Sequence, residues 1–413
     1  MLKFLGHAGF MYETKNELIL MDPWMSAEGA FDSSWYQNPP NHELGVQIRE
    51  EIDSTSKEVY VYISHEHKDH FDIPYLKTLE LSKINFITPK FRRDHVASEL
   101  LKLNPKSVTT PIDSELLNIG DLEIRLFLDD QEIVRDSAIG IHDKDANYTF
   151  LNLNDCKVYD RVDELMNLYG KFDVFTCQFS GAVFHPVCYD YPKNKYKEIS
   201  ESKVYGKFSS VKNLIDKFQP ELYIPAAGPP VFLDPNLLSI NFQEVNIFSS
   251  PYKFKNFLNE NMPELKVEVP VPGSTFKFSN QKINIQHPVD DVEELFDKEN
   301  IKDYANKMKY IFDARESQKF DYKPLEIQQK LFYELNSKLE NFHIEQDMDV
   351  VLEFALDEIE DTSIFINFKS KEINILDKSQ TFNSGTYEIA CSAGDIGRLL
   401  DGLLNWEDFM LSF

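Results

Sequence analysis

The sequence of 413 residues has few cysteines and comparatively few basic residues, and each shortage argues against particular classes of function. The four cysteines, at positions 156, 177, 188 and 391, form no CxxC pair. Because paired spacing is typical of disulfide frameworks and cysteine zinc sites, we expect neither. The lack of a signal-peptide pattern favours a reduced, cytoplasmic protein. Lys and Arg number 43 against 69 Asp and Glu, a formal charge of −26. This negative charge argues against binding to nucleic acids or anionic membranes.

The chain also has no long apolar run, so no membrane span is predicted. Hydrophobic residues nevertheless make up 42% of the sequence, which is enough for a sizeable core. A chain of this length fits one large domain with an appendage, or two or three domains.

The most informative segment is the run HEHKDH at residues 65–70, directly after the apolar stretch VYVYI. His65 and His67 are two residues apart on an extended or turning backbone, so both can reach one metal ion. Asp69 and His70 follow where the chain bends toward a helix, and they can hold a second ion. These ligands suit zinc, iron or manganese, and two neighbouring ions can activate a shared water or dioxygen. The alternative is a solvated, charged loop, but three of the ten histidines fall in this run.

Together with LGHAGF at residues 5–10 and ILMDP at 19–23, this run resembles the metallo-β-lactamase superfamily over roughly residues 1–290. Four further segments resemble the non-Rieske part of the CMP-N-acetylneuraminate hydroxylases: MDPW at 21–24, NLNDC at 152–156, FSGA at 179–182 and AGPPVFLDP at 227–235. The resemblance implies an α/β fold, an αββα sandwich with the metal centre at one edge and a small C-terminal α+β module.

Two departures from those hydroxylases bear on the cofactors. No cysteine lies in a Cys-His pair, the ligand pattern of a Rieske cluster, so we expect no Rieske cluster. The superfamily's third histidine is also missing. An alignment on residues 136–138 places Glu132 there, with Asp129 and Asp130 as alternatives. A carboxylate in place of an imidazole favours iron or manganese over zinc, and members with glutamate here resemble diiron hydroxylases. We therefore expect two metal ions, with iron favoured.

The resemblance assigns roles to three further residues. Asp155 follows the strand at 150–153 and is expected to bridge the two ions, although an ordinary turn aspartate has the same local sequence. His185 follows a strand and a glycine turn, and it either binds a metal or faces the ligands and the substrate. The superfamily's last histidine is replaced by AAG at residues 226–228, so either His185 substitutes for it or one ion keeps an open position. His7 is expected to support the site rather than bind metal.

We therefore predict a dinuclear oxygenase that acts on a small polar substrate. Its predicted catalytic residues are Asp69 and His185, and its predicted metal ligands are His65, His67, Asp69, His70, Glu132 and Asp155. An external electron donor is expected, because the chain shows no redox cluster of its own. The alternative is a metallohydrolase that cleaves an ester, amide or phosphodiester, in which Asp69 orients a metal-activated water or accepts its proton. A non-catalytic scaffold is disfavoured by the intact histidine run.

The sequence divides into three predicted parts. These are a metal-binding catalytic domain at residues 1–290, a helical connector at 291–345 and a small α+β module at 346–413. Short apolar strands alternate with turn signals in the first part, and residues 73–81 and 94–103 are predicted as helices.

Overall fold

A computed structural model of the protein describes residues 1–131, 135–181, 185, 187, 191–279, 282–319, 321–340 and 348–412. These residues form two compact units, Met1–Lys307 and Met308–Phe413. The three-part division at residues 290 and 345 stays a prediction.

The strands of the first unit run in short segments through most of its length. Within the described residues they are β1 (Leu2–Gly6), β2 (Gly9–Glu13), β3 (Glu17–Met21), β4 (Glu58–Tyr62), β5 (Ile84–Ile87), β6 (Ser107–Thr109), β7 (Leu117–Ile119), β8 (Leu122–Asp130), β9 (Arg135–Asp143), β10 (Tyr148–Asn152), β11 (Val174–Gln178), β12 (Leu222–Ala226), β13 (Thr275–Ser279) and β14 (Lys282–Gln286).

These strands form two mixed sheets. The first sheet has the order β14-β13-β1-β2-β3-β4-β5-β6, and its last four strands are parallel. The second sheet has the order β12-β11-β10-β9-β8-β7, and β10, β11 and β12 are parallel. Each sheet therefore has a set of parallel strands whose carboxyl ends lie along one edge.

The helices of the first unit lie on the outer faces of its sheets, and the second unit contains further helices. Among the described residues they are α1 (His42–Ser54), α2 (Ile73–Leu76), α3 (His95–Lys102), α4 (Val162–Tyr169), α5 (Lys193–Phe218), α6 (Pro251–Asn261), α7 (Lys298–Lys319), α8 (Pro324–Glu340), α9 (Ala393–Leu400) and α10 (Trp406–Ser412). None of the described helices is long and apolar enough to span a lipid bilayer.

The two sheets pack face to face around a shared core. Side chains alternate between the two faces of each strand, so every second side chain points toward the opposite sheet. Phe10 and Ile19 from the first sheet meet Ile124 and Phe150 from the second, and all four are fully buried. The rings of Phe10 and Phe150 have centroids 5.3 Å apart in an edge-to-face arrangement. Burial of this apolar surface is the main force that holds the sheets together.

Helices cover the outer face of each sheet. Ile52 of α1 and Leu100 of α3 pack with Val61 of the first sheet. Leu214 of α5 and Phe254 of α6 pack against the outer face of the second sheet. The layers are therefore helix, sheet, sheet and helix, and the predicted αββα sandwich is confirmed.

The second unit is a smaller α+β structure. Its strands are β15 (Val350–Leu356), β16 (Thr362–Asn367), β17 (Glu372–Asp377) and β18 (Gly385–Cys391), in the order β17-β16-β15-β18. Apolar residues of α8, α9 and α10 form one buried cluster with this sheet.

Polar side chains join the two sheets of the first unit at the edge where β4 ends. The Tyr62 hydroxyl donates to the carbonyl of Ser137 on β9 at 3.0 Å. The Ser137 hydroxyl in turn donates to the carbonyl of Ser64 at 2.8 Å. These bonds hold the residues after β4 against the second sheet, and those residues are the histidine run.

Candidate metal centre

The histidine run leaves the end of β4 and folds back in a tight turn. The backbone N–H groups of His70 and Phe71 both donate to the carbonyl of His67, at 3.0 and 2.7 Å. Asp72 then caps α2 by accepting from the backbone N–H of Tyr75 at 3.0 Å. The turn brings imidazoles and a carboxylate from six consecutive residues to one side of the chain.

A first group of three donors consists of His65, His67 and Asp155. Each contributes one ligand atom, and the three atoms lie within 4.8 Å of one another. Nε2 of His65 is 2.8 Å from Nδ1 of His67. Two imidazoles and one carboxylate that converge in this way are a plausible ligand set for one divalent ion.

A second group consists of His7, Asp69 and His70, with the same limit of 4.8 Å between ligand atoms. Nε2 of His7 is 3.1 Å from Oδ2 of Asp69, and Nε2 of His70 is 3.8 Å from the same oxygen. Asp155 connects the two groups, because its Oδ1 is 3.7 Å from Nε2 of His70. The structure thus brings five of the six predicted metal ligands together and adds His7.

Several of these ligand atoms are buried without a hydrogen bond. Within the described part of the chain, Oδ1 of Asp69, Nε2 of His70 and Oδ1 of Asp155 have no hydrogen-bond partner. Unpaired buried polar atoms are costly, and a cation among them would satisfy all three. The residues present therefore fit a metal centre.

Carboxylates behind the histidines fix the orientation of their rings. Oδ2 of Asp22 is 2.8 Å from Nδ1 of His70, and Oδ1 of Asp136 is 3.2 Å from Nδ1 of His65. The Ser64 hydroxyl is also 2.9 Å from Nδ1 of His65. With Nδ1 engaged on each ring, Nε2 is left to face the group of ligands, which is how carboxylates support histidine ligands in metal sites.

The electrostatics of the site favour a cation. Burial lowers the pKa of His65, and the neighbouring His70 and His67 lower it further, so its imidazole stays neutral. Burial alone would lower the pKa of His70 as well, but the carboxylates of Asp69, Asp22 and Asp155 raise it to about 10. Burial and the nearby Asp155 raise the pKa of Asp136. Carboxylates close enough to hold a proton on His70 at neutral pH can hold a metal ion instead.

His7, which the sequence analysis expects to support the site rather than bind metal, is one of the three donors of the second group. It lies in the turn between β1 and β2 with φ of 48°, and its carbonyl accepts a 2.9 Å hydrogen bond from the N–H of Ala227. Ala227 follows β12, where the superfamily histidine was expected and is absent. The turn that carries His7 thus lies beside the position of the missing histidine. The missing histidine after β12 and the GHAG sequence of this turn were the two features of the sequence that could have pointed to His7.

His185 lies elsewhere in the first unit. It is buried, and its Nε2 is 2.8 Å from the hydroxyl of Ser200 on α5. Among the described residues neither donor group includes it. Its predicted role at the substrate or metals stays a prediction.

Glu132 lies outside the described residues, so its predicted place as a ligand is not tested. The two alternatives contact other groups. Oδ1 of Asp129 accepts from the side chain of Gln131 at 2.9 Å, and Oδ2 of Asp130 accepts from the backbone N–H of Arg92 at 2.9 Å.

Comparison with known proteins finds similarity to one family model and to several longer proteins. Residues 1–159 match the model of the family described as "Beta-lactamase superfamily domain". A putative Rieske 2Fe-2S iron-sulfur protein of Mycolicibacterium smegmatis is 30% identical over 327 residues, which are 76% of this chain and 61% of the relative. The cytidine monophosphate-N-acetylneuraminic acid hydroxylase of Cricetulus griseus is 24% identical over 294 residues, covering 66% of this chain and 47% of that protein.

Two solved structures have similar folds at low identity. CmlA, a diiron β-hydroxylase from Streptomyces venezuelae, is 14% identical with a TM-score of 0.43, over 66% of this chain and 52% of its own. Igni18, a metallo hydrolase from Ignicoccus hospitalis, is 14% identical with a TM-score of 0.42, over 69% of this chain and 97% of its own.

The expectation of no Rieske cluster is contradicted by these relatives. Two further mycobacterial proteins, 29% identical over 76% of this chain, are also named Rieske 2Fe-2S iron-sulfur proteins. The expectation relied on the spacing of four cysteines within 413 residues, and these residues span 61% of each mycobacterial relative. The spacing of these cysteines is therefore not sufficient evidence against a Rieske cluster. The prediction of an external electron donor relied on the absence of a redox cluster, so it loses its support.

Proposed function

We propose that this chain, whose first 159 residues match the family model described as "Beta-lactamase superfamily domain", is the metal-dependent part of an oxygenase that oxidises a small polar substrate. The observation that supports oxygen chemistry is the composition of the two donor groups. Each contains two histidines and one carboxylate: His65 and His67 with Asp155, and His7 and His70 with Asp69. Two histidines with one carboxylate and open positions are the ligand set of non-haem ferrous oxygenases.

The protein's own residues would hold two ions and orient the side chains that bind them. Asp155 lies within reach of both donor groups and would be shared between them. Asp22 and Asp136 would keep the histidine rings aligned through Nδ1. Ferrous ions held there would supply the ability to activate dioxygen, which side chains alone lack.

A second candidate is a metallohydrolase. A carboxylate placed between two ion sites, as Asp155 is, also suits a pair of ions that activate a bridging water. Asp69 would then stay ionised: burial opposes this, but His70 and His7 lower its pKa below the ordinary value. The two candidates differ in their need for oxygen and for a reductant.

Metal loading and oxygen uptake test the proposal. The chain is purified without oxygen, loaded with ferrous iron or zinc, and analysed for metal content. We expect two ions per chain in the wild type and loss of metal from the first donor group in the double variant His65→Ala with His67→Ala. The ferrous protein should consume dioxygen once per loading in an oxygen electrode, and the double variant should not.

The hydrolase is tested in parallel with bis(p-nitrophenyl) phosphate and p-nitrophenyl acetate under strict anaerobiosis. Turnover by the zinc-loaded wild type without any reductant, absent from the double variant, would reject the oxygenase and favour the hydrolase. A wild type that retains no metal would reject both.

A further inference from the structure

Lys207 reaches from the outer helix layer to the edge of the sheet where the metal centre lies. It precedes Phe208 on α5, whose ring is buried between α5 and the second sheet. Its partly buried side chain extends to the end of β11, where the ammonium donates a 2.6 Å hydrogen bond to Oε1 of Gln178. The backbone N–H of Gln178 donates to the carbonyl of Asn154 at 3.0 Å, and Asp155 is the next residue. Lys207 is therefore linked through one strand end to the shared carboxylate of the centre.

The Lys207 ammonium interacts electrostatically with carboxylates at the metal centre. Burial lowers the pKa of Lys207, and the carboxylates of Asp155 and Asp136 oppose this effect. Asp155 is the carboxylate that acts on it most strongly. An ammonium coupled to Asp155 lies within electrostatic range of the first donor group.

No carboxylate in the described residues lies within ion-pairing distance of the Lys207 ammonium, and its contacting partner is a neutral amide. Lys57 is also partly buried but has Oε1 of Glu13 at 2.7 Å. Removing an ammonium from water is costly unless an anion compensates. Among the described residues, Lys207 thus has the surroundings of a cation that can accept a further anionic partner.

Gln178 adds a second donor at the same place. Since its Oε1 accepts from Lys207, its amide orientation is defined and its NH2 group remains available to donate. An ammonium and an amide donor side by side match the oxygens of a carboxylate or a phosphate.

We propose that Lys207, assisted by Gln178, binds an anionic oxygen-bearing group of the substrate and so positions the rest of that molecule beside the metal centre. This inference rests on the proposed function, because it assigns the substrate class of that site. The substrate is accordingly a molecule that carries a carboxylate or a phosphate group.

Anion binding to the zinc-loaded full chain tests the inference, with inorganic phosphate and acetate as probes in separate calorimetric titrations. Lys207→Met should weaken the preferred anion by about tenfold or more, because a charge-assisted contact is lost. Gln178→Glu, which keeps the lysine and gives it an internal carboxylate, should weaken binding similarly, and Lys207→Arg should retain most of it. Lys203→Met, one turn earlier on α5 and exposed, is the matched control and should bind like the wild type. The preferred probe distinguishes a phosphate from a carboxylate substrate.

Zinc content measured on each variant separates the inference from the proposed function. Full metal content with unchanged anion affinity in Lys207→Met would overturn the inference and leave the metal centre intact. A metal-loaded wild type that binds neither probe would overturn it as well. A wild type that holds no metal would instead refute the proposed function. If Lys207→Met loses metal, Gln178→Glu decides: weakened anion binding at full metal content supports the inference, and unchanged binding overturns it.

Discussion

Asp22 shows how much a residue outside both donor groups contributes to the centre. It follows β3 with φ of 41°, is fully enclosed, and accepts from the backbone N–H of Ser64 at 2.8 Å while its other oxygen contacts His70. One carboxylate therefore holds the start of the histidine run and also aligns one of its rings.

We expect Asp22→Asn to weaken zinc binding by about 10- to 100-fold, because an amide supports the basicity of His70 less well than a carboxylate. Competition with a chromophoric chelator measures the affinity. Asp143→Asn is the control, since Asp143 is also buried but accepts from the Tyr12 hydroxyl instead of touching a histidine ligand. Equal zinc affinity in Asp22→Asn and the wild type would contradict the orienting role.

At the residue scale, sequence reasoning found the ligands that are close together in the chain. His65, His67, Asp69 and His70 share one turn, so their spacing alone predicts that they converge. His7 could not be assigned to the site in this way, because it meets Asp69 only after β1, β2, β3 and β4 have paired in the first sheet. Local spacing carries no information about such a contact.

At the scale of elements, capping decides where α9 begins. The Ser392 hydroxyl accepts from the backbone N–H of Asp395 at 3.0 Å, and the same hydroxyl donates to the Asp395 carboxylate at 2.6 Å. The first of these bonds satisfies a backbone N–H that a helix start leaves unpaired, and the second holds the Ser392 hydroxyl in place.

We expect Ser392→Ala to lower the free energy of unfolding of the second unit by about 1 kcal/mol, the usual effect of losing a helix cap. Urea unfolding followed by circular dichroism measures it. Ser370→Ala serves as the control, because Ser370 is exposed and lies outside the helices. A loss no larger than that of Ser370→Ala would show that the cap is not needed.

Elements with an apolar pattern were predictable, and those without one were not. β3 and β10 are buried along their whole length and were recognised as runs of apolar residues. β18 is exposed at most positions, so no alternation marks it. The predicted helix at 73–81 is shorter in the structure, because α2 ends at Leu76. β9 contains Arg135, Asp136 and His142, and its place between β8 and β10 is determined by strand pairing.

At the scale of the whole molecule, the metal ions should stabilise the first unit. A ligand that binds only the folded state adds free energy in proportion to the logarithm of its concentration, about 2.7 kcal/mol at 100 times the dissociation constant. We therefore expect zinc to raise the melting temperature of the calorimetric transition assigned to the first unit. The double variant His65→Ala with His67→Ala, which keeps only the second donor group, should show a smaller rise, and an equal rise in both proteins would indicate binding elsewhere.

The hydrogen bond between Ala227 and the carbonyl of His7 also sets an order of events during synthesis. His7 leaves the ribosome well before Ala227, which follows the last strand of the second sheet. Contacts between such distant parts of a chain form slowly, and the chain emerges from its amino end. An ion that arrives before the sandwich has closed can meet only the local ligands His65, His67, Asp69 and His70. The complete centre, which also needs His7 and Asp155, therefore forms once the two sheets have packed together.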